Sequence, residues 1–381
     1  MFHHQKNMVD SMNIAMIGWE YPPFKAGGLA THCFGLTRSL ADNDVHIDFY
    51  MPKTKNKVKN SKNNLSIIEV GETSIFPYDR PDENELGGSF FESVDKYNKL
   101  LIQKINGKYD LIHCHDWLTV NAGVSIKHTF GIPLVLSIHS TEYDRSGGIN
   151  PNQWFIDIEK KGMQAADKII AVSHYTQRIL VDRYHIPKDK IQVVHNAVYP
   201  ISEKTKQKIV LFLGRLTIQK GPLYFVKAAK KVLEHEDCQF IVGGAGDMFQ
   251  ALVDESVRLG ISDRVIFTGR LSDEEVEHLY GIASVYVMPS VSEPFGITAL
   301  EAISAGTPTI VSKSAGVSEV FKNALQVDFW DTDEMANQII SLLRYEPLHS
   351  TLKHNGKSEI KLFTWDQVSQ RTKEVYQQVI S

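Results

Sequence analysis

Short apolar segments alternate with segments of helical apolar spacing in the first half of the chain. The short segments predict strands at residues 13–18, 45–51, 110–114, 134–138 and 168–172, and a helix is predicted at residues 32–41. Continuous apolar strands separated by helices are typical of a parallel sheet that is covered by helices on both faces. The pattern therefore predicts an α/β domain.

The same alternation begins again after residues 196–208, a polar segment with a proline that predicts a linker. Strands are predicted at 209–213, 239–243, 265–268, 285–288 and 309–311, and helices at 222–234 and 247–259. We therefore predict two doubly wound, Rossmann-like domains, residues 12–197 and 206–362. Ligands of such sheets bind beyond the carboxyl ends of the strands, which predicts a ligand cleft between the two domains.

Residues 363–381 predict an amphipathic helix. Its apolar positions are Trp365, Val368, Val375, Tyr376 and Val379. An apolar stripe of this size is costly to leave in water, so we expect the helix to cross back and pack on the first domain.

Composition narrows the class of protein. The 381 residues contain 41 Lys and Arg against 45 Asp and Glu, a net charge of −4, which does not favour nucleic-acid binding. The three cysteines are far apart and predict neither a disulfide framework nor a zinc site, so a cytoplasmic location is expected. No apolar run approaches the roughly 20 residues that span a bilayer.

Residues 53–62 form a basic, polar run (KTKNKVKNSK) that predicts a solvated loop. The alternative is a loop that meets an anionic acceptor or a membrane surface. Peripheral membrane contact and the oligomeric state therefore stay open at this point.

The strongest motif occupies residues 292–306 (SEPFGITALEAISAG). Pro294 and Gly296 interrupt regular structure, and a helix is predicted to begin near Ile297. The unpaired N–H groups at such a helix start suit a phosphate. Glu293 precedes the helix and Glu301 lies about two turns along it, so the two carboxylates reach different parts of an elongated ligand.

Two further segments carry groups suited to an anionic ligand. Arg215 and Lys220 follow the predicted strand 209–213, and the two cations are suited to neutralising a diphosphate. Near the N-terminus, Gly27 and Gly28 in the segment KAGGL follow Lys25, and paired glycines let a backbone approach a ligand closely.

Polar residues also follow two strand ends of the first domain. Asp116 lies in the segment HCHDW and His139 follows the strand 134–138. A histidine after a buried strand is often a core residue bonded to a carbonyl, so both a structural and a functional interpretation apply to His139. His113 is predicted to be structural. In the second domain, Gly244 lies in the segment GGAG, which lacks the complete dinucleotide-binding motif.

Together these segments resemble glycosyltransferase family 4, a retaining group of GT-B architecture that includes bacterial and archaeal glycogen synthases. The resemblance rests on an E-x7-E motif at Glu293 and Glu301, a G-R-x4-K-G segment, and a K-x-G-G-L segment. It implies that Glu293 lies near the hydroxyls of the donor sugar and that Glu301 binds the ribose. It also implies that backbone amides of Gly296, Ile297 and Thr298 hold the diphosphate.

The same resemblance implies roles for the remaining candidates. His139 is expected beside the transferred sugar, and Asp116 is expected to face the sugar-binding cleft. Arg215 and Lys220 are expected to bind the leaving diphosphate, so His139, Glu293, Arg215 and Lys220 are the predicted catalytic residues. The predicted donor-binding residues are Lys25, Gly27, Gly28, Asp116, Gly244, Arg270, Leu271, Gly296, Ile297, Thr298 and Glu301.

The predicted reaction is transfer of a hexosyl group, glucose, from ADP-glucose or UDP-glucose to a glycan hydroxyl, without a cofactor or a metal. The alternatives are an enzyme that builds a lipid-linked or cell-surface polysaccharide, a sugar-nucleotide 2-epimerase, and a non-catalytic nucleotide-sugar sensor. Retention is expected to arise by front-face attack, with a covalent intermediate as the alternative. Tyr280 and Trp330 are predicted to be packing residues.

Overall fold

The structure is a computed structural model that describes residues 12–25, 27–54, 58, 62–71 and 90–380. Residues 1–11 and most of the basic run 53–62 lie outside the described residues. Contacts divide the chain into two compact units. The first unit is Met1–Ser137, Lys161–Ile169 and Ser369–Ser381, and the second unit is Ile138–Lys160 and Ile170–Val368.

In the described part of the chain, seven strands form the first sheet, in the order β3-β2-β1-β4-β5-β6-β7. The pairs from β3 to β5 are parallel, as the apolar pattern predicts. The strands are β1 Asn13–Ile17, β2 His46–Pro52, β3 Leu65–Val70, β4 Leu111–His115, β5 Leu134–Ile138, β6 Lys168–Ala171 and β7 Ile191–Val193. The helices along this part of the chain are α1 Gly28–Asp42, α2 Phe90–Lys104, α3 Val120–Phe130, α4 Glu142–Arg145, α5 Gln153–Ala165 and α6 His174–Asp182.

The second sheet has six described strands in the order β10-β9-β8-β11-β12-β13, and all five neighbouring pairs are parallel. The strands are β8 Gln207–Leu213, β9 Gln239–Gly243, β10 Val265–Gly269, β11 Ala283–Met288, β12 Thr309–Ser312 and β13 Leu325–Val327. The helices are α7 Pro222–Leu233, α8 Phe249–Arg258, α9 Asp273–Ile282, α10 Ile297–Ser304, α11 Thr332–Arg344, α12 Glu346–Glu359 and α13 Trp365–Ile380.

Strand β8 shows why the strands of the second sheet are continuously apolar. Leu211 and Leu213 pack in one buried cluster, whereas Val210 and Phe212 pack in another. Successive side chains of a strand point to opposite faces, so helices on both faces require apolar residues at every position. The predicted doubly wound architecture is therefore confirmed for this sheet.

The predicted strands agree with the observed ones to within two residues at each end. The apolar pattern does not predict β3, whose inner residues are only half-buried, or the three-residue strands β7 and β13. Helix α1 begins at Gly28, four residues before its predicted start. The predicted domain boundaries separate the two sheets, whereas the two compact units do not follow those boundaries. The boundaries therefore stay a prediction.

Helix α13 contacts α1 and β4 of the first unit through polar groups in its buried face. Ser39 Oγ donates to Ser369 Oγ at 2.9 Å, and the Lys373 ammonium donates to the Asn43 carbonyl at 3.0 Å. Tyr376 is fully buried, and its hydroxyl lies 2.6 Å from His113 Nδ1. The predicted apolar stripe thus contains polar contacts that helical periodicity alone does not indicate.

The described helices include α1 and α13, of 15 and 16 residues. None of them is long and apolar enough to cross a membrane.

His113 is the polar residue of β4 that contacts Tyr376 of helix α13. It is fully buried, and its Nε2 lies 2.7 Å from Ser137 Oγ. Burial, with a smaller contribution from nearby His32, lowers the pKa of His113 to about 3. The folded protein therefore keeps this imidazole neutral, which agrees with the structural role predicted for it.

We predict that His113→Gln flattens the pH dependence of stability between pH 6.5 and 5. The unfolded chain takes up a proton at His113 below its usual pKa of about 6.5, and the folded chain does not. Stability from this group is thus present above pH 6.5 and is lost as the pH falls, with a slope approaching about 1.4 kcal/mol per pH unit.

The measurement is urea unfolding at half-unit steps across that window, for the wild type and the variant. The variant is less stable throughout, but its slope is smaller than that of the wild type. Equal slopes for the two proteins would contradict a neutral, buried His113.

Candidate active site at the carboxyl edge of the second sheet

A partly buried ion pair lies beyond the carboxyl ends of β8 and β11. Lys220 closes a 3-10 turn after β8, and its Nζ lies 2.6 Å from Glu293 Oε2. The Ser290 hydroxyl donates to the same Oε2 at 3.1 Å. The side chain of Glu293 is only 8% exposed, so both donors offset the cost of burying its charge. The structure thus brings together two of the predicted catalytic residues, and it adds Ser290.

Arg215 lies in the same loop as Lys220. Its guanidinium donates to Gln219 Oε1 at 3.1 Å, and the Gln219 carbonyl accepts from the Val291 amide at 2.9 Å. Gln219 thus connects the loop after β8 to the loop after β11. Sequence analysis did not single out Gln219, because an exposed loop glutamine gives the same local pattern.

The start of α10 has the geometry expected from the sequence. Gly296 is the N-cap, with φ of +110°, and the helix begins at Ile297 as predicted. A Cβ at Gly296 would lie 2.8 Å from the methyl carbon of Met288, which is the end of a flexible side chain, so the positive φ rather than the space favours glycine. The first amides of a helix have no partner within it, and this end therefore suits an anion. Thr298 directs its hydroxyl to Met288 Sδ at 3.5 Å.

Gly244 follows β9 and is required by a close backbone approach. Its φ is +131°, and a Cβ there would lie 1.9 Å from the Gly214 carbonyl oxygen. The Gly244 amide also donates to the Gly269 carbonyl at 2.9 Å, next to exposed Arg270 and half-buried Leu271. Packing of neighbouring loops is therefore sufficient to explain this glycine.

Glu301 lies on α10 and accepts a hydrogen bond from Tyr280. The Tyr280 hydroxyl donates to Glu301 Oε2 at 3.1 Å, and the tyrosine is fully buried. Burial and the nearby Glu301 carboxylate raise the pKa of Tyr280, so its hydroxyl keeps its proton. Tyr280 is a packing residue, as predicted, whereas Trp330 is 62% exposed, so the same prediction is wrong for Trp330. Tyr280 also holds the second glutamate of the E-x7-E motif. The 21-residue separation of the pair gave no local signal for this contact.

In the first unit, the start of α1 already contacts an acidic residue. The Gly27 amide donates to Glu20 Oε2 at 3.1 Å, and Glu20 is 4% exposed. Gly28 is the first residue of α1, and Lys25 is exposed nearby in sequence. A carboxylate at this position interacts favourably with the helix dipole. The helix start therefore has an anion of its own, which the sequence analysis did not anticipate.

Asp116 has an unusual backbone conformation at the end of β4. Its φ is +56° and its ψ is 179°, a region that costs an L-residue of order 1–3 kcal/mol. Thr119 Oγ1 donates to the Asp116 carbonyl at 3.1 Å, and the Asp116 amide donates to the Ser137 carbonyl at 3.0 Å. Burial, with the Glu20 and Asp116 carboxylates, raises the pKa of Cys33 well above its usual value. The strained aspartate and Glu20 thus share one acidic neighbourhood.

His139 directly follows β5 and is half-buried. It belongs to the segment Ile138–Lys160 of the second unit and precedes α4. Its place at a strand end agrees with the sequence analysis, and its predicted role beside the transferred sugar stays a prediction.

Comparison with known proteins identifies the family. Residues 26–200 match the model for Glycosyltransferase Family 4, and residues 199–359 match the model for Glycosyl transferases group 1. An uncharacterized glycosyltransferase from Methanocaldococcus jannaschii is 33% identical, and the match covers 96% of this chain and 98% of that protein. The chain therefore belongs to glycosyltransferase family 4 and is a glycosyltransferase.

Two further relatives have more specific names. A D-inositol 3-phosphate glycosyltransferase from Acidothermus cellulolyticus is 25% identical over 97% of this chain and 90% of that protein. A glycogen synthase from Mycobacterium tuberculosis is 26% identical over 82% of this chain and 80% of that protein. Both relatives share the family with this chain, but their names describe two different activities.

Solved structures share the fold. Sucrose-phosphate synthase from Thermosynechococcus elongatus has a TM-score of 0.80 at 24% identity, covering 96% of this chain and 98% of that one. The catalytic domain of starch synthase IV from Arabidopsis thaliana, bound to ADP and acarbose, has a TM-score of 0.74 at 15% identity, covering 97% and 99%. The expected GT-B architecture is confirmed by these similarities.

We predict that Lys220→Ala lowers the turnover of a nucleotide-sugar donor by at least about tenfold. Loss of a cation where negative charge develops removes stabilisation of the transition state, typically of a few kcal/mol. The matched control is Lys227→Ala, an exposed lysine on α7. Initial rates and thermal unfolding of both variants test the prediction. Wild-type turnover in a folded Lys220→Ala protein would show that Lys220 does not take part in catalysis.

We predict that Tyr280→Phe raises the dissociation constant for the nucleotide by about threefold, with a smaller effect on bound-state turnover. A hydrogen bond contributes about 0.5–1.5 kcal/mol, and this one orients Glu301 rather than the reacting groups. Glu301→Ala should have the larger effect, and Tyr345→Phe, on an exposed tyrosine, is the control. Calorimetric titration with UDP and ADP measures the constants. Unchanged affinity in both site variants would place nucleotide binding elsewhere.

Proposed function

We propose that the protein transfers glucose from a nucleotide-sugar donor to a glycan hydroxyl, with retention of the anomeric configuration. The observation that carries this proposal is the Lys220–Glu293 pair next to the start of α10. It combines a cation, a carboxylate and a helix N-terminus at one sheet edge, which are groups that suit a diphosphate and a sugar.

In the proposed reaction, the bond between the anomeric carbon and the diphosphate oxygen breaks while the acceptor oxygen forms a new bond to that carbon. Negative charge grows on the leaving diphosphate. Arg215, Lys220 and the amides of Gly296, Ile297 and Thr298 would stabilise this charge, because fixed donors in a buried site need no reorganisation during the reaction.

We propose that the acceptor attacks from the same face as the leaving group. The acceptor proton then passes to the leaving phosphate, so no separate base is required. A covalent route would instead need a carboxylate directly below the anomeric carbon. Glu293 is held by Lys220 and Ser290, which favours a role in binding the sugar hydroxyls over one as a nucleophile. His139 is proposed to lie beside the transferred sugar.

The donor is proposed to be ADP-glucose or UDP-glucose, and we propose a cytoplasmic location. One similar structure contains ADP and acarbose, and another, the Anabaena protein HepE, is described in complex with UDP-glucose. Lys25, which resembles the lysine of ADP-glucose-dependent synthases, favours ADP-glucose. This proposal includes further donor contacts, by Lys25, Gly27, Gly28, Asp116, Gly244, Arg270 and Leu271.

The second candidate is transfer to an acceptor other than a glucan. The relative from Acidothermus cellulolyticus is named for inositol 3-phosphate and matches more of this chain than the glycogen synthase does. A lipid-linked or cell-surface glycan is the third acceptor class.

The test is a screen of ADP-glucose, UDP-glucose and UDP-galactose against maltooligosaccharides, inositol 3-phosphate and a lipid-linked glycan. We expect nucleotide release to require an acceptor, and we expect an α-linked product from an α-linked donor by NMR. Product of inverted configuration would contradict retention. Epimerisation of the donor sugar at C2 without transfer would instead indicate an epimerase. Binding of the nucleotide sugar without turnover would indicate a sensor.

We predict that EDTA leaves this turnover unchanged within about twofold. Arg215 and Lys220 would supply the positive charge that a divalent cation supplies in metal-dependent transferases. The measurement compares initial rates with and without the chelator, and then with added magnesium or manganese. Activity that is lost on chelation and restored by either cation would overturn metal independence.

A further inference from the structure

We propose that Asp144 is a positioning residue for Glu293 and acts through Ser292. The proposal rests on the proposed function, in which Glu293 binds the donor sugar. Asp144 does not touch that sugar. Its carboxylate holds the loop after β11 so that the Glu293 side chain points to Lys220 and Ser290.

The carboxylate of Asp144 is fully buried and bonded at both oxygens. Thr141 donates to Oδ2 twice, from its amide at 2.8 Å and from its hydroxyl at 2.7 Å. Ser292 Oγ lies 2.6 Å from Oδ1. One oxygen thus caps α4, and the other binds the residue directly before Glu293. A buried carboxylate with this set of partners is costly to disturb, because each lost donor leaves charge unsatisfied.

The hydrogen bonds around Ser292 have a fixed direction. An ionised carboxylate can only accept, so the Ser292 hydroxyl donates to Asp144. Tyr175 OH lies 2.8 Å from Ser292 Oγ and therefore donates to it. Burial raises the pKa of Asp144, and hydrogen bonds from Ser292 and Thr141 oppose that rise. The serine hydroxyl is thereby held by two partners that permit one orientation.

The side chain of Ser292 anchors this position more strongly than its backbone does. Its amide reaches the Gln219 carbonyl at 3.5 Å, a long hydrogen bond, whereas its hydroxyl contacts are 2.6 and 2.8 Å. The next residue, Glu293, is held by two main-chain hydrogen bonds. Its amide donates to the Ser314 carbonyl at 3.0 Å, and its carbonyl accepts from the Gly316 amide at 2.9 Å. Asp144 therefore anchors Ser292 through its side chain, between the main-chain hydrogen bonds of Val291 and Glu293.

Helix α4 is a firm support for this contact despite its four residues. Arg145 donates to Glu142 at 3.1 Å and to Glu159 at 2.5 Å, and the Tyr184 hydroxyl donates to Glu159. A helix this short is not stable from propensity alone, so these buried ion pairs and the capping box maintain it. A fixed support is what a positioning role requires.

The experiment uses the full chain with Asp144→Asn, Ser292→Ala and the double variant. Asparagine keeps the shape but replaces one acceptor by a donor, and alanine removes the hydroxyl. Asp157→Asn, in which an exposed aspartate of α5 loses its charge, is the matched control. Three quantities are measured: turnover of the active donor, calorimetric affinity for UDP and ADP, and amide hydrogen exchange of peptides covering residues 289–297.

We expect both single variants to lower kcat about tenfold while nucleotide affinity stays within about twofold, because misplacing a reacting or binding group costs turnover. The double variant should be no worse than either single one, since both remove the same contact. Exchange in residues 289–297 should accelerate in the site variants and not in Asp157→Asn.

Additive losses in the double variant, or unchanged exchange and unchanged kcat, would overturn the proposal. A fall in thermal stability with wild-type kcat would show a structural role only. If the wild type turns over none of the donors, the proposed function fails, and the exchange measurement still decides whether Asp144 holds the loop.

Discussion

The structure of the candidate site depends on the parallel arrangement of the second sheet. Because β8, β9 and β11 run in the same direction, their carboxyl ends meet at one edge. The loops that follow these strands therefore converge, although residues 214–220, 243–246 and 289–296 are far apart in sequence. The Lys220–Glu293 ion pair is the chemical result of this convergence.

Both glutamates of the E-x7-E motif accept a hydrogen bond from a distant segment of the chain, and those partners decide what each carboxylate can do. Lys220 and Ser290 keep the Glu293 carboxylate in one position, and Tyr280 holds Glu301 on α10. The two glutamates of one motif thus have different environments, with a cation near one and a neutral phenol near the other. This difference supports different proposed roles in binding one elongated donor.

Several residues of the two units have a clear role in packing. Gly244 is required because the Gly214 carbonyl passes within 1.9 Å of where its Cβ would be. The start of α1 is met by the Glu20 carboxylate, and His113 is held neutral between Ser137 and Tyr376. In each case the close packing of backbone or a buried polar contact holds the residue in its position.

The sequence by itself determined the alternation of strands and helices, the start of α10, and the identity of the motifs. These properties depend on local periodicity, glycine and proline positions, and the order of residues along the chain. Only the tertiary structure brought Gln219, Tyr280 and Asp144 to their partners Val291, Glu301 and Ser292, since each of these contacts joins separate segments and leaves no periodic signal. Short strands such as β7 and β13 were missed for a related reason, because three residues are too few to show a period and depend on neighbouring strands for their hydrogen bonds.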